Sequence, residues 1–230
     1  TGLSPEAILA EMESFKSGDV RWKEGRTWSM VYQVDDAHNA LLKQASSLYF
    51  SESYINPFAF ESLQRMEKEV VAMTADMLHG GEHAVGTMTS GGTESIFLAL
   101  YTYREWARKT KPNCNEVIAP STIHPAFEKA AHILGLHVRK VPVTAEGKAD
   151  AEAMGRRIGS KTLLLAASAP SYPHGLLDPI PSISKLAEQH KLPFHVDACI
   201  GGFMLPWVEQ LRPELVHAWD FRLSGVTSIS

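Results

Sequence analysis

Ser90-Gly91-Gly92-Thr93-Glu94-Ser95 is a segment whose residue types can bind an anion. It follows Ala84-Val85-Gly86-Thr87-Met88-Thr89 and leads into Ile96-Phe97-Leu98-Ala99-Leu100-Tyr101, which reads as strand, glycine turn and helix. Gly91 and Gly92 let the backbone turn tightly with no Cβ in the way. The first turn of a helix carries N–H groups without intrahelical acceptors, and these with the helix dipole attract a phosphate. Thr93 and Ser95 add hydroxyl donors. Read by itself, the segment serves equally as a plain turn and capping box with Thr93 as the cap.

Asp197 offers a second kind of chemistry. It ends the apolar run Pro193-Phe194-His195-Val196, and Gly201-Gly202 closes the segment. A carboxylate at the end of a buried strand is costly unless something pairs with its charge. Backbone N–H groups or an arginine would do. So would a protonated pyridine nitrogen, as in pyridoxal phosphate, whose ring an acidic residue keeps protonated so that it can take up electrons. His124, in Ser121-Thr122-Ile123-His124-Pro125, follows the apolar run Val117 to Pro120. On such a strand-to-helix loop its imidazole is either a surface or capping group or a plate that lies on a planar ring. Residues two apart share a strand face, so His195, Asp197 and Cys199 fall on one side. Cys199 then either lines a substrate pocket or is a small buried residue.

The elements that must position these groups alternate. Strands are expected at Ala84–Thr89, Glu116–Ala119, His137–Val141, Thr162–Ala167, Pro193–Asp197 and Phe221–Ser228. Helices are expected at Thr93–Lys109, Pro125–Leu134, Ala149–Ile158 and Pro181–His190. This order predicts an α/β unit with a mostly parallel sheet and helices on both faces. Ligands of such sheets sit beyond the carboxyl ends of the strands. Thr89–Gly92, Ser121–His124, Ser168–Pro170 and Asp197–Cys199 all fall there in this reading, so one pocket collects them. Upstream, Ser4-Pro5-Glu6 caps a first helix, and Asp36 to Phe50 forms a second. Lys16 to Met30, with Trp22 and Trp28, reads as an irregular arm. Pro57 to His79 reads as a long helix with Phe60, Leu63, Met66, Val70, Met73 and Met77 on one stripe, stopped by Gly80-Gly81.

Taken together, these segments resemble the fold-type I pyridoxal phosphate enzymes, in the group that holds the glutamate-type decarboxylases and the sphingosine-1-phosphate lyases. The likeness is carried by Thr89 to Ser95, by Ala169-Pro170-Ser171-Tyr172-Pro173-His174-Gly175-Leu176-Leu177-Asp178-Pro179, by His195 to Phe203, and by Asp220-Phe221-Arg222 through Ser230. Pro173-His174-Gly175 and Asp197-Ala198-Cys199 resemble the lyases more than the decarboxylases. The resemblance implies pyridoxal 5′-phosphate as cofactor. Gly91, Gly92 and Thr93 would hold its phosphate, His124 would stack on the ring, Asp197 would pair with the ring nitrogen, and Ser168 would reach the phenolic oxygen. Ser168 serves equally as a turn serine. Asn56, His174 and Cys199 are candidates to touch substrate.

The activity implied is cleavage of the C2–C3 bond of a phosphorylated sphingoid base to a long-chain aldehyde and phosphoethanolamine. The alternatives are an amino-acid decarboxylase of the glutamate or tyrosine type and a non-catalytic fragment. Residues 1–80 are then a helical N-terminal segment. Residues 81–230 are the first part of the cofactor-binding large domain, with the remainder and a small C-terminal domain expected outside the chain. The chemistry needs a Schiff-base lysine. No lysine follows Lys191, so the lysine is expected beyond Ser230, unless the chain is a relative that has lost it. The resemblance also implies a homodimer with the site at its interface.

Composition narrows the remaining classes. A chain of 230 residues that is 44% hydrophobic and 21% charged has the make-up of an ordinary globular domain. A formal net charge of −4 gives no electrostatic case for nucleic acid. The two cysteines, Cys114 and Cys199, form neither a disulfide framework nor a metal spacing, so no metal is expected. No apolar run approaches the ~18 residues that span a bilayer, and a cytoplasmic location is expected, with a membrane partner only through an anchor upstream.

Overall fold

The computed structural model describes residues 2–25, 27, 31–56 and 58–230. Trp28, Met30 and Pro57, named above, lie outside the described residues. The chain divides into two compact units, Thr1–Phe60 and Glu61–Ser230. The division falls earlier than the boundary expected after residue 80, so the long helix belongs with the second unit.

The first unit holds α1 (Pro5–Phe15) and α2 (Asp36–Leu48). Ser4 caps α1 by accepting from the Ala7 N–H, and Asp35 caps α2 by accepting from the His38 N–H at 2.7 Å. Between them the expected irregular arm contains two single 3₁₀ turns, Lys16–Gly18 and Trp22–Glu24.

The second unit runs α3 (Glu61–Met77), α4 (Gly92–Thr110), β1 (Glu116–Pro120), α5 (Ala126–Leu134), β2 (His137–Val141), α6 (Ala151–Arg157), β3 (Thr162–Ser168), α7 (Ile180–His190), β4 (Phe194–Asp197), α8 (Leu205–Leu211) and β5 (Ser228–Ile229). The strands form one sheet in the order β2-β1-β3-β4-β5, and every ladder among the described residues is parallel. β3 is buried along its whole length, as expected of a central strand covered on both faces. On one face Val117, Ala119, Leu164 and Ala166 pack with Ile96, Leu100 and Phe127 of α4 and α5. On the other, Ile118, Leu165, Ala167, Phe194 and Val196 pack with Met154, Ile180 and Ile183 of α6 and α7.

Chain direction across the sheet reverses between β1 and β3. β1 leads outward to β2, while β3 leads the other way to β4 and β5. The crevice outside the carboxyl ends at such a switch point is where ligands of open α/β sheets bind. The loop after β1 carries His124, and β3 ends at Ser168.

Two expected strands are corrected. Residues 84–89 form no strand; a strand exists only through pairing, and no described segment pairs with them. This segment lies along α3 instead, where the Glu67 carboxylate accepts from the Met88 N–H and the Thr87 hydroxyl. Phe221–Ser228 shortens to Ser228–Ile229, because the Asp220 carboxylate accepts from the Arg222 N–H and its carbonyl from the Leu223 N–H, folding residues 220–223 into a turn. The long helix starts at Glu61 and ends through His79, which takes the left-handed φ of 56°. α8 was not anticipated.

Candidate active site

The glycine turn is built for an open helix start. Gly91 is the N-cap of α4, with φ 153°, and among the described residues no side chain caps the helix. Thr93 is thus inside the helix and not its cap. The acceptor for a reciprocal cap is supplied by Glu94, whose carboxylate takes the Ser90 N–H and hydroxyl, both at 2.6 Å. These bonds hold the Glu94 carboxyl below the usual carboxylate range. The Gly92 and Thr93 N–H groups find no acceptor among the described residues. Ser95 is a brace, not a free donor, since its hydroxyl meets Thr89 Oγ1 at 2.7 Å. Thr89–Gly92 thus approaches the site as a loop rather than from a strand end.

Asp197 is 7% exposed and ends β4. Burial pushes its carboxyl above the usual range, opposed by hydrogen bonds from Cys199 and by the charge of His124. Its hydrogen bond from the Cys199 N–H is a long one, 3.3 Å, and Cys199 is its hydrogen-bond partner among the described residues. A buried carboxylate so weakly satisfied has room for a cationic partner. Ser168 is the register partner of Asp197 across β3 and β4, so the two side chains stand beside each other on one face. The Ser168 backbone is pinned by Asp178, a fully buried carboxylate that accepts from the Ser168 and Ala149 N–H groups at 2.9 and 2.8 Å. Burial raises the Asp178 carboxyl as well.

His124 is half-buried. Its Nδ1 accepts from the Ala126 N–H at 3.2 Å, and its ring meets Tyr172 edge-on at 5.3 Å. Tyr172, which the sequence did not single out, therefore sets the tilt of the imidazole. Cys199 closes the ring of residues. Its Sγ lies 2.9 Å from where a Cβ on Gly92 would stand. The residue is exposed overall, but desolvation of its thiol, and then the charge of Asp197, push the thiol up to about 12. The structure thus brings Gly92, His124, Ser168, Asp197 and Cys199 together at one end of the sheet. A cleft of about 320 Å³ between α4 and α5 adjoins this group through Thr93 and Glu94 but does not include Asp197.

One of the substrate candidates of the second unit lies apart from this group. His174 is exposed and packs by Gly147, in the loop after β2. Asn56 belongs to the first unit, where its Oδ1 accepts from the Phe58 N–H in a turn. Among the described residues no group of His, Cys, Asp and Glu could hold a metal.

Residues 29–230 match the family described as the pyridoxal-dependent decarboxylase conserved domain. The chain belongs to that family. It is 41% identical to sphingosine-1-phosphate lyase 1 of Rattus norvegicus, over all of this chain and 40% of the relative. It is 38% identical to the sphingosine-1-phosphate lyase of Dictyostelium discoideum, over all of this chain and 43% of the relative. Among solved structures, a Burkholderia pseudomallei sphingosine-1-phosphate lyase superposes on the whole chain with a TM-score of 0.91 at 38% identity, covering 55% of that structure. A glutamate decarboxylase of Lactobacillus brevis shares the fold, with a TM-score of 0.82 at 19% identity. The chain therefore spans only part of the length of these relatives. Its fold is that of the fold-type I enzymes, as the sequence resemblance implied, and its cofactor is pyridoxal 5′-phosphate.

The residues present fit that cofactor as a family member's should. Free N–H groups at a helix start suit a phosphate, and an under-bonded buried carboxylate suits a pyridinium nitrogen. A half-buried imidazole lies between them in the chain order and couples electrically to the carboxylate.

Proposed function

We propose that the complete protein is a pyridoxal phosphate-dependent carbon–carbon lyase acting on phosphorylated sphingoid bases, releasing a long-chain aldehyde and phosphoethanolamine. The observation that carries this reading is that relatives named as sphingosine-1-phosphate lyases, from rat to Dictyostelium, align over the whole chain at 38–41% identity. The decarboxylase neighbour shares only the fold.

When bound, pyridoxal phosphate supplies a sink for the electron pair released as the C2–C3 bond breaks. In this reading Gly92 and Thr93 donate backbone N–H groups to its phosphate, with the Thr93 hydroxyl alongside. Asp197 holds a proton on the ring nitrogen by keeping its own negative charge next to it. Its burial makes that pairing strong, because a carboxylate out of water has few other ways to be satisfied. His124 would stack on the ring and orient it. Ser168, fixed by Asp178, offers its hydroxyl to the phenolic oxygen. Cys199 borders the phosphate turn and narrows the site there. The Schiff-base lysine is taken to lie beyond Ser230, and the active assembly to be a homodimer.

The test gives the full-length protein a phosphorylated sphingoid base, its unphosphorylated form, and amino acids including glutamate, tyrosine and histidine. Aldehyde from the phosphorylated base alone is expected. Carbon dioxide released from an amino acid at a higher kcat/KM would replace this reading with the decarboxylase one.

A further inference from the structure

His195 is completely buried, and nothing in the proposed chemistry uses it. Both of its ring nitrogens are nevertheless occupied by hydroxyls. Nδ1 lies 2.7 Å from Ser228 Oγ and Nε2 lies 3.0 Å from Ser230 Oγ. A neutral imidazole has one N–H and one lone pair, and two hydroxyls that can each donate or accept satisfy both. Burial holds the ring neutral, its pKa lowered to about 3. The ring also leans on Phe127 of α5, at 5.8 Å between centroids.

The contacts continue at both ends. Ser228 Oγ meets Tyr103 Oη at 2.6 Å, and Tyr103 is carried by α4, the helix that begins at the glycine turn. Ser230 Oγ accepts from the Cys199 thiol at 3.5 Å, and that thiol sits in the space a Gly92 side chain would fill. A line of hydrogen bonds thus runs Tyr103, Ser228, His195, Ser230, Cys199. It begins on α4, passes behind Asp197 through its strand neighbour, and ends against the start of α4.

We propose that His195 is a positioning residue. Its Nε2 fixes the Ser230 hydroxyl, Ser230 holds the Cys199 thiol against Gly92, and the phosphate turn is thereby kept in place relative to the Asp197 carboxylate. The proposal rests on reading these residues as the cofactor site. Its effect is on how tightly the cofactor is held and on the freedom of the thiol.

The two ring nitrogens can be separated by substitution. In His195→Asn the amide reaches only as far as Nδ1, so the Ser228 bond survives and the Ser230 bond is lost. In His195→Gln the amide reaches the Nε2 position, so the Ser230 bond survives. The full-length protein is assayed in two ways. Alkylation of Cys199 by iodoacetamide is followed in cofactor-free protein by peptide mass spectrometry, and pyridoxal phosphate is titrated by absorbance. The Asn variant is expected to alkylate about five- to tenfold faster and to bind cofactor about five- to tenfold more weakly, the loss of roughly one hydrogen bond. The Gln variant should stay close to the parent in both. Ser230→Ala, which leaves the imidazole in place, should reproduce the Asn result and serves if the His195 variants do not fold. Equal alkylation rates in the Asn and Gln variants would overturn the proposal. Separated alkylation rates in a protein that takes up no pyridoxal phosphate would uphold the hydrogen-bond line and sink the cofactor reading instead.

Discussion

Cys199 occupies the place of the side chain that Gly92 lacks: a Cβ on Gly92 would stand 2.9 Å from its Sγ and 3.2 Å from its Cβ. The glycine is required here by close approach. It does not need a left-handed backbone, which is found instead at Gly91. Gly92→Ala should push the thiol aside or tilt the first turn of α4. We expect a loss of about 1–2 kcal/mol, the usual cost of one methyl too many in a packed site, and a weaker grip on pyridoxal phosphate. Cys199→Gly in the same chain opens the space and should restore most of the affinity. Cofactor titration of the single and double variants measures this. An additive double variant would show that the two residues do not touch.

Asp197 should behave as a residue kept for function at a cost to stability. Its charge is buried, and its hydrogen bond from the Cys199 N–H is long. Asp197→Asn removes the charge with little change of shape. The cofactor-free protein should lose no stability and could gain about 1 kcal/mol. Turnover by the complete enzyme should fall about a hundred- to a thousandfold, because the ring nitrogen loses its anionic partner. Thermal melting and steady-state rates check both halves. A variant that is destabilised yet nearly as active would mark Asp197 as structural.

Why some of this was legible in the sequence, and some not, follows from which residues are local to each other. Strands β1, β3 and β4 are short, largely apolar runs, and the ends of β1 to β4 fall within a residue or so of the expected ones. The cost of a buried carboxylate could be read from Asp197 and its flanks alone. Residues 84–89 have the same apolar look, but strand character depends on a pairing partner far away, and Val85 remains 94% exposed. α8 begins at Leu205-Pro206, soon after the strand-ending Gly201-Gly202, and is too short for a helical period to show in the sequence. The hydroxyls around His195 come from Ser228 and Ser230, 33 and 35 positions away, and no local pattern announces them. Asp178 sat inside a recognised motif, yet its hold on the Ser168 N–H appears only once β3 and the following loop fold together.

Gly201 is the strictest glycine of the site region. A Cβ there would lie 2.1 Å from the Ala169 carbonyl oxygen and 2.4 Å from Pro170 Cδ. Both are backbone or ring atoms that cannot swing away. Gly201→Ala should cost about 3 kcal/mol or more, at the upper end of overpacking penalties. Urea unfolding of the complete protein measures it. A loss below about 1 kcal/mol would mean the loop after β4 can shift freely.

Assembly gives a fourth expectation. α3 presents Met66, Val70 and Met73, all exposed, along one stripe, and the extended segment beside it exposes Val85 and Met88. Apolar surface of this kind favours burial against a partner. The complete protein should have the mass of a dimer by light scattering at micromolar concentration. Replacing Met73 by Glu should shift the balance toward single chains. An active protein with the mass of one chain would refute the dimer.

The buried imidazole sets the last expectation, which concerns acid. Folded His195 has a pKa of about 3, while an unfolded histidine titrates near 6.5. Above about pH 7.5 both states are neutral at this residue, and it adds no pH dependence. As the pH falls from there toward 3, the unfolded chain binds a proton that the folded chain refuses, so stability is lost. The slope approaches about 1.4 kcal/mol per pH unit. Asp197 and Asp178 act in the opposite sense. Their raised pKa values let the folded state take protons first, so they add stability as the pH falls through the acid range. The wild-type curve alone therefore mixes the two signs. Comparison with His195→Gln isolates the imidazole, because the carboxylates are common to both proteins. Urea unfolding of the cofactor-free proteins between about pH 8.5 and 4.5 should show a constant difference above about pH 7.5, with the Gln variant gaining on the parent below it. Parallel curves over the whole range would mean that His195 takes up its proton in the folded protein and is not sealed from water.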